Sequence, residues 1–367
     1  MLIEIIRTYG PRILAGCLLL LGLACDADPD ALPQPEITVE TTRSDPGRTT
    51  RLAKPYEGSL FDVHIHLNPR GARRGDEKDI HERTLKALRK NGVVRSLVMP
   101  TPNEGRSDDS EKGLEQKREL AARSAGRVNR LCLGHDLNVR IHLANQGFAR
   151  ADLEGRLAAL AKELDSGECL GIGEIGPYHF EKRPGQAVLD YAMNNSAFLA
   201  AVGLAAERGL PVDLHAEPVQ PDGSSREDEV FGGIALLFQR FPDLKLILAH
   251  TGMTNATNAL RLLERHPNLM MHIKAVTRHD RWRNLEPITD PDGNVFEDWA
   301  AVFEAMPERF LVGSDAKFGR RRYNPRRYER DVNLLRGVLG TLKARAARLI
   351  AHDNAAALYG GATLTGS

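Results

Sequence analysis

Residues 62–66 read Asp-Val-His-Ile-His and place two imidazoles two positions apart at the end of an apolar run. In an extended strand alternate side chains share a face, so period two puts Asp62, His64 and His66 on one side and the apolar residues on the other. Two imidazoles so placed can reach one metal ion. By itself the pattern also describes a pair of buried, hydrogen-bonded histidines. Four further apolar runs close on a polar residue: LGIGEIG carries Glu174, PVDLHAE His215, LILAHTG His250 and LVGSDA Asp315. The intervals His66 to Glu174 to His215 to His250 to Asp315 are 108, 41, 35 and 65 residues. They approximate three, one, one and two units of roughly 36 residues, the scale of one strand-helix repeat.

The elements that must position these side chains follow from the same runs. Candidate strands cover residues 60–66, 93–99, 128–133, 169–174, 210–215, 244–250, 269–274 and 310–315. Between them lie stretches of helical period, among them 153–164, 187–208 and 256–265. Eight strands with intervening helices predict an α/β chain folded as a (β/α)8 TIM barrel, a single catalytic domain over residues 56–360. The six polar residues then fall on strands one, four, five, six and eight, at the C-terminal face where barrel enzymes keep their sites. A doubly wound sheet would need a glycine-rich phosphate turn after an early strand, but Gly171-Ile172-Gly173-Glu174-Ile175-Gly176 comes late and opens no helix.

This arrangement resembles the amidohydrolase superfamily of metal-dependent hydrolases. The likeness covers about residues 58–360: H-x-H on strand one, a bridging Glu on strand four, His on strands five and six, and Asp on strand eight. GEIG with PVDLH and LAHTG resembles the TatD-like branch, while HTG, GSDA and the closing DNAAALYG resemble the amidohydrolase-related group equally. One metal ion or two therefore stays open. The resemblance implies that His64, His66, Glu174 and Asp315 hold one divalent ion, and that His215 and His250 hold a second, with Glu174 bridging. Imidazole and carboxylate donors suit zinc best, with manganese, iron or nickel as further candidates. Asp315 would move the proton between water and leaving group; with a single ion, His250 becomes an acid or electrophile.

The implied reaction is metal-dependent hydrolysis of a small-molecule amide, ester or lactone. A TatD-like phosphodiesterase or nuclease and a metal-dependent decarboxylase share the ligands. For the substrate, Lys274 shares its strand face with His272, and the run after Asp315 carries Arg320 and Arg322 among five arginines. Guanidinium groups there would bind an anionic substrate. His135, Asp136, Tyr178 and His179 follow strands and could line the pocket, Glu217 could orient a ligand imidazole, and Trp282 and Trp299 lie in a long seventh loop that could act as a lid.

Composition narrows the rest. Of 367 residues 42% are hydrophobic and 27% charged, and 50 Lys and Arg face 49 Asp and Glu. That balance excludes wholesale disorder and an extended nucleic-acid surface. Residues 1–25 read as a signal peptide, with arginines at 7 and 12 and then an apolar run. Twelve helical residues rise roughly 18 Å, short of a roughly 30 Å bilayer core. Ending on Cys25, the segment resembles a bacterial lipoprotein signal, with Cys17 the second candidate. The expected protein is therefore exported and held at the cell envelope through a membrane lipid. Residues 26–55 read as a flexible linker and 361–367 as a tail. Four cysteines are too few for a disulfide scaffold, and pairing of Cys132 with Cys169 is left open.

Overall fold

The computed structural model describes residues 48–50, 54–67, 77–102, 109–133, 136–148, 152–180, 189–220, 222–274, 287–319 and 325–360, all within the unit Arg43–Ser367. The expected signal peptide with Cys17 and Cys25, most of the expected linker and the expected tail lie outside the described residues. Thr49 bridges Phe296, and Thr50 N donates to Val295 O at 2.8 Å, so this part of the expected linker lies on the chain ahead of a late helix.

Eight strands form the barrel: β1 (Leu60–Leu67), β2 (Val93–Met99), β3 (Val128–Cys132), β4 (Cys169–His179), β5 (Val212–Ala216), β6 (Leu246–Leu248), β7 (Leu269–Ile273) and β8 (Phe310–Val312). Each pairs in parallel with the next, and β8 returns to β1 through Val312 and Asp62, which closes the cylinder. Residues 313–315 then leave the ladder, and Ala316–Phe318 resumes parallel pairing with the end of β1. Buried on both faces, the strands read as near-continuous apolar runs, as parallel barrel strands do.

The helices between them follow their local signals. Ala256–Arg265 buries Ala256, Ala259, Leu262 and Leu263 on one face, and the Asn255 side chain caps it by accepting from Asn258 N. The helix expected over 187–208 is shorter, Ser196–Ala206, because Asn195 caps the amides of Ala197 and Phe198. Ahead of that cap, Leu189–Asp190 pairs antiparallel with the end of β4. Trp299 sits in the helix Glu297–Ala305, buried and stacked on Phe303. It staples that helix to the barrel and is no part of a lid. Trp282 lies outside the described residues.

One apolar cluster joins the outer strand faces to the helices. A second takes Phe61, Val63, Leu97, Met99, Leu131, Leu170, Ile247 and Leu311 from the strands and Ala355 and Tyr359 from the closing helix Asn354–Tyr359. This is the barrel interior, and it corrects the reading of β1. Phe61 and Val63 belong inside. Asp62 faces the other way, accepting from Ser314 N (2.9 Å), Ser314 Oγ (2.6 Å) and Tyr328 OH (3.0 Å). Pairing with β2 slips between Asp62 and Ile65, so strict alternation fails there. His64 and His66 point inward together, and Asp62 instead ties β1 to the break after β8. Cys132 and Cys169, on neighbouring strands with Cα atoms 5.8 Å apart, form a disulfide.

Candidate active site

The barrel brings all six sequence-selected residues to one place. His64 and His66 stand at the end of β1, Glu174 and His215 on β4 and β5, His250 two residues beyond β6, and Asp315 in the break after β8. Glu174 is central. Its Oε2 lies 3.6 Å from His64 Nε2 and 3.5 Å from His66 Nε2, and its Oε1 lies 2.6 Å from His215 Nδ1 and 3.5 Å from His250 Nε2. His66 Nε2 is 3.1 Å from His64 Nε2 and 3.0 Å from Asp315 Oδ1. Five of the six residues are at most 4% exposed, and the side chain of Asp315 is 6% exposed.

The proton positions on the rings decide what this cluster can hold. His66 Nδ1 lies 3.1 Å from the carbonyl of Met99, which can only accept, so Nδ1 carries the hydrogen and Nε2 a lone pair. His64 Nδ1 likewise faces Asp213 Oδ2 at 3.4 Å, which turns a second lone pair toward Glu174 and Asp315. Two imidazole lone pairs and two carboxylates therefore converge in a buried volume where they repel one another unless a cation lies among them. His250 Nδ1 has no hydrogen-bond partner among the described residues. The donors fit a divalent ion: two groups that could hold one, His64–His66–Glu174 and Glu174–His215–His250, share Glu174. The outer hydrogen bonds that fix the rings are of the kind that orient metal-binding histidines.

The electrostatics agree. Burial pushes the Glu174 carboxyl up, but the His215 and His64 imidazoles outweigh it and hold the group well below the usual range. Burial acts the same way on Asp315, and the Lys274 and Lys317 ammonium groups hold it well below normal. His64, whose burial opposes a charge, is lifted to about 10 by Asp213 and Glu174. With no other cation present, a proton on His64 balances the carboxylates. His250 is pushed well below its ordinary value, first by burial and then by Lys274, and stays neutral as a ligand must be.

The backbone is special at two of these positions. His250 and Asp315 adopt φ of 56° and 53°, and Thr251 and Met253 are also left-handed. Such conformations in non-glycine residues gather at functional sites, where they aim side chains that a regular strand could not. Glycines make room nearby. A Cβ on Gly173 would meet Asp213 Cβ at 2.9 Å, and one on Gly313 would collide with His272 Nδ1.

Sequence reasoning missed Asp213 and His272. Asp213 Oδ2 lies between His64 Nδ1 and His272 Nε2, at 3.4 and 3.6 Å, and His272 Nδ1 accepts from His250 N at 3.4 Å. Period two was the available signal, since Asp213 is two residues before His215 and His272 two before Lys274. The Lys274 ammonium bonds Asp315 Oδ2, and Lys317 approaches Oδ1 at 3.1 Å, so the inward lysine finds its anion within the protein. Glu217 Oε1 lies 3.0 Å from His215 Nε2, the orienting position expected of it. Tyr178 belongs to the outer core, and Asp136 pairs with Arg140 and Arg156. Arg320, Arg322 and His135 lie outside the described residues.

No curated protein matches the chain. Among solved structures, an uncharacterised TIM-barrel protein from Bordetella bronchiseptica is similar at 15% identity and TM-score 0.50, covering 83% of this chain and 99% of that one. A 4-oxalomesaconate hydratase from Rhodopseudomonas palustris follows at 13% identity and TM-score 0.49, covering 82% and 95%. A dihydroorotase from Campylobacter jejuni has 14% identity and TM-score 0.46, covering 82% and 83%. At 15% identity the likeness to the first of these is one of fold alone. The sequence itself matches the amidohydrolase family over residues 61–361, from β1 to the closing helix. The chain belongs to the amidohydrolase family.

Proposed function

We propose that the protein is a metal-dependent hydrolase of a small-molecule amide, ester or lactone. The observation that carries the reading is the convergence of imidazole lone pairs and two ionised carboxylates around Glu174. His64, His66, Glu174 and Asp315 would hold one divalent ion, and His215 and His250 a second, with Glu174 shared. Zinc suits the donors first, then manganese, iron or nickel. A divalent ion held there supplies Lewis acidity, lowering the pKa of water toward about 7 and polarising a carbonyl oxygen.

The protein's own groups do the rest. Asp315, kept ionised by Lys274 and Lys317, accepts the proton of the attacking water and returns it to the leaving group. Asp213 fixes the His64 ring, and Glu217 fixes the His215 ring. Arg320 and Arg322, which follow Asp315 in sequence, favour an anionic substrate. The enzyme is read as exported and lipid-anchored through Cys25. The Cys132–Cys169 disulfide supports export, because such bonds persist in oxidising compartments.

Metal analysis of the purified protein and a substrate panel test the reading together. One or two zinc ions per chain are expected, with hydrolysis of an amide, ester or lactone lost to a chelator and restored by zinc. Protein that binds no metal, or turnover confined to single-stranded DNA or to decarboxylation of aromatic carboxylates, overturns it.

A further inference from the structure

Strand β4 does not stop at Glu174 but runs five residues further to His179, and the chain after β5 continues past His215 to Glu217. The parallel register pairs Tyr178 with Ala216, and Glu217 N donates to Tyr178 O at 2.9 Å. This overrun sets a further imidazole and a further carboxylate on the outer side of His215, away from Glu174. His179 Nδ1 lies 2.8 Å from Glu217 Oε1 and 3.1 Å from His215 Nε2, and His215 Nε2 lies 3.0 Å from Glu217 Oε1. Three donor atoms from three side chains thus form a small triangle. The side chains of His179, His215 and Glu217 are 10%, 5% and 0% exposed.

Two imidazole nitrogens and one carboxylate oxygen are a competent set for a first-row divalent ion, with positions left for water. The same imidazole serves two neighbours. His215 turns Nδ1 toward Glu174 and Nε2 toward His179 and Glu217. A neutral imidazole has one lone pair and one N–H, so it ligates through one nitrogen at a time. With the lone pair on Nδ1 the ring belongs to the Glu174–His250 side. With the lone pair on Nε2 it belongs to the outer triangle.

We propose that His179, His215 and Glu217 form an outer divalent-cation site that competes with the inner His215–His250 position for the same ring. The proposal rests on the reading of the Glu174 cluster as a cation centre. An ion in the outer site leaves His64, His66 and Asp315 untouched and withdraws His215 from the inner pair. His179 is the most exposed member of the triangle.

Zinc-soaked crystals of the full chain, with anomalous diffraction recorded at the zinc edge, test this directly. At excess zinc, density is expected between His179, His215 and Glu217. In calorimetric zinc titrations, His179→Asn and Glu217→Gln should each lose that binding event and keep the ion at His64 and His66. If Glu217 only steadies the His215 ring, Glu217→Gln changes binding while His179→Asn keeps every wild-type equivalent. That result, or an outer position empty at excess zinc, overturns the proposal. The inner centre is read separately: zinc in the outer triangle with none among His64, His66, Glu174 and Asp315 keeps the outer site and rejects the hydrolase. Zinc at neither rejects both.

Discussion

The inside of the barrel holds two populations of side chains, and they obey different rules. Toward the closing helix, Phe61, Val63, Leu97, Leu131, Ile247 and Leu311 pack against Ala355 and Tyr359. At the other end the same strands deliver His64, His66, Glu174, His215, His250 and Asp315, with Asp213 and His272 beneath them. In the apolar half every close approach is favourable, so shape alone decides the packing. In the polar half close approach of lone pairs is unfavourable until a cation or proton arrives, so protonation and outer hydrogen bonds decide it. One end of the barrel interior is thus packed with apolar side chains, and the other carries the candidate site.

The largest test of that division is Asp315→Asn. The variant should lower kcat by about 10²- to 10⁴-fold, as expected for loss of a proton-transferring group, while most of the metal stays bound through the remaining ligands. An active variant would remove Asp315 from proton transfer. Next, Leu311→Ala opens a cavity among fully buried apolar side chains and should cost about 2–5 kcal/mol in denaturant unfolding. Zinc affinity should not change; a weakened site would mean that the two halves are coupled. Asp213→Asn removes the negative charge behind His64 and His272 and should weaken zinc binding about 10- to 100-fold, read by competition with a chromophoric chelator. Unaltered affinity would show that the His64 ring is set by packing alone. The smallest effect belongs to Tyr359→Phe. Its hydroxyl is buried with no hydrogen-bond partner among the described residues, so stability should be unchanged or rise by about 1 kcal/mol. A clear loss of stability would place an unrecognised partner in the apolar half.

How far the sequence could be read depended on which interactions set each element. All eight barrel strands were legible, because a strand buried on both faces leaves a short apolar run, and eight such runs alternate with longer stretches of helical period. The candidate site residues were legible as polar residues ending those runs. The face of Asp62 was not: a register slip between β1 and β2 breaks alternation, and a slip depends on the neighbouring strand. Nor was the shortened helix at Ser196–Ala206, where the Asn195 cap competed with an apolar period extending further back. Asp213 and His272 carried a period-two signal, but only the barrel's closure shows that their faces converge on His64.

By itself the sequence determined the residue types, their order and their places at strand ends, because those depend on local periodicity. The tertiary structure alone decided which lone pairs meet, since ring tautomers follow from partners such as Met99 O and Asp213 that lie on other strands. It also decided that His250 and Asp315 leave regular backbone to reach Glu174, a strained geometry that holds only when the surrounding barrel enforces it.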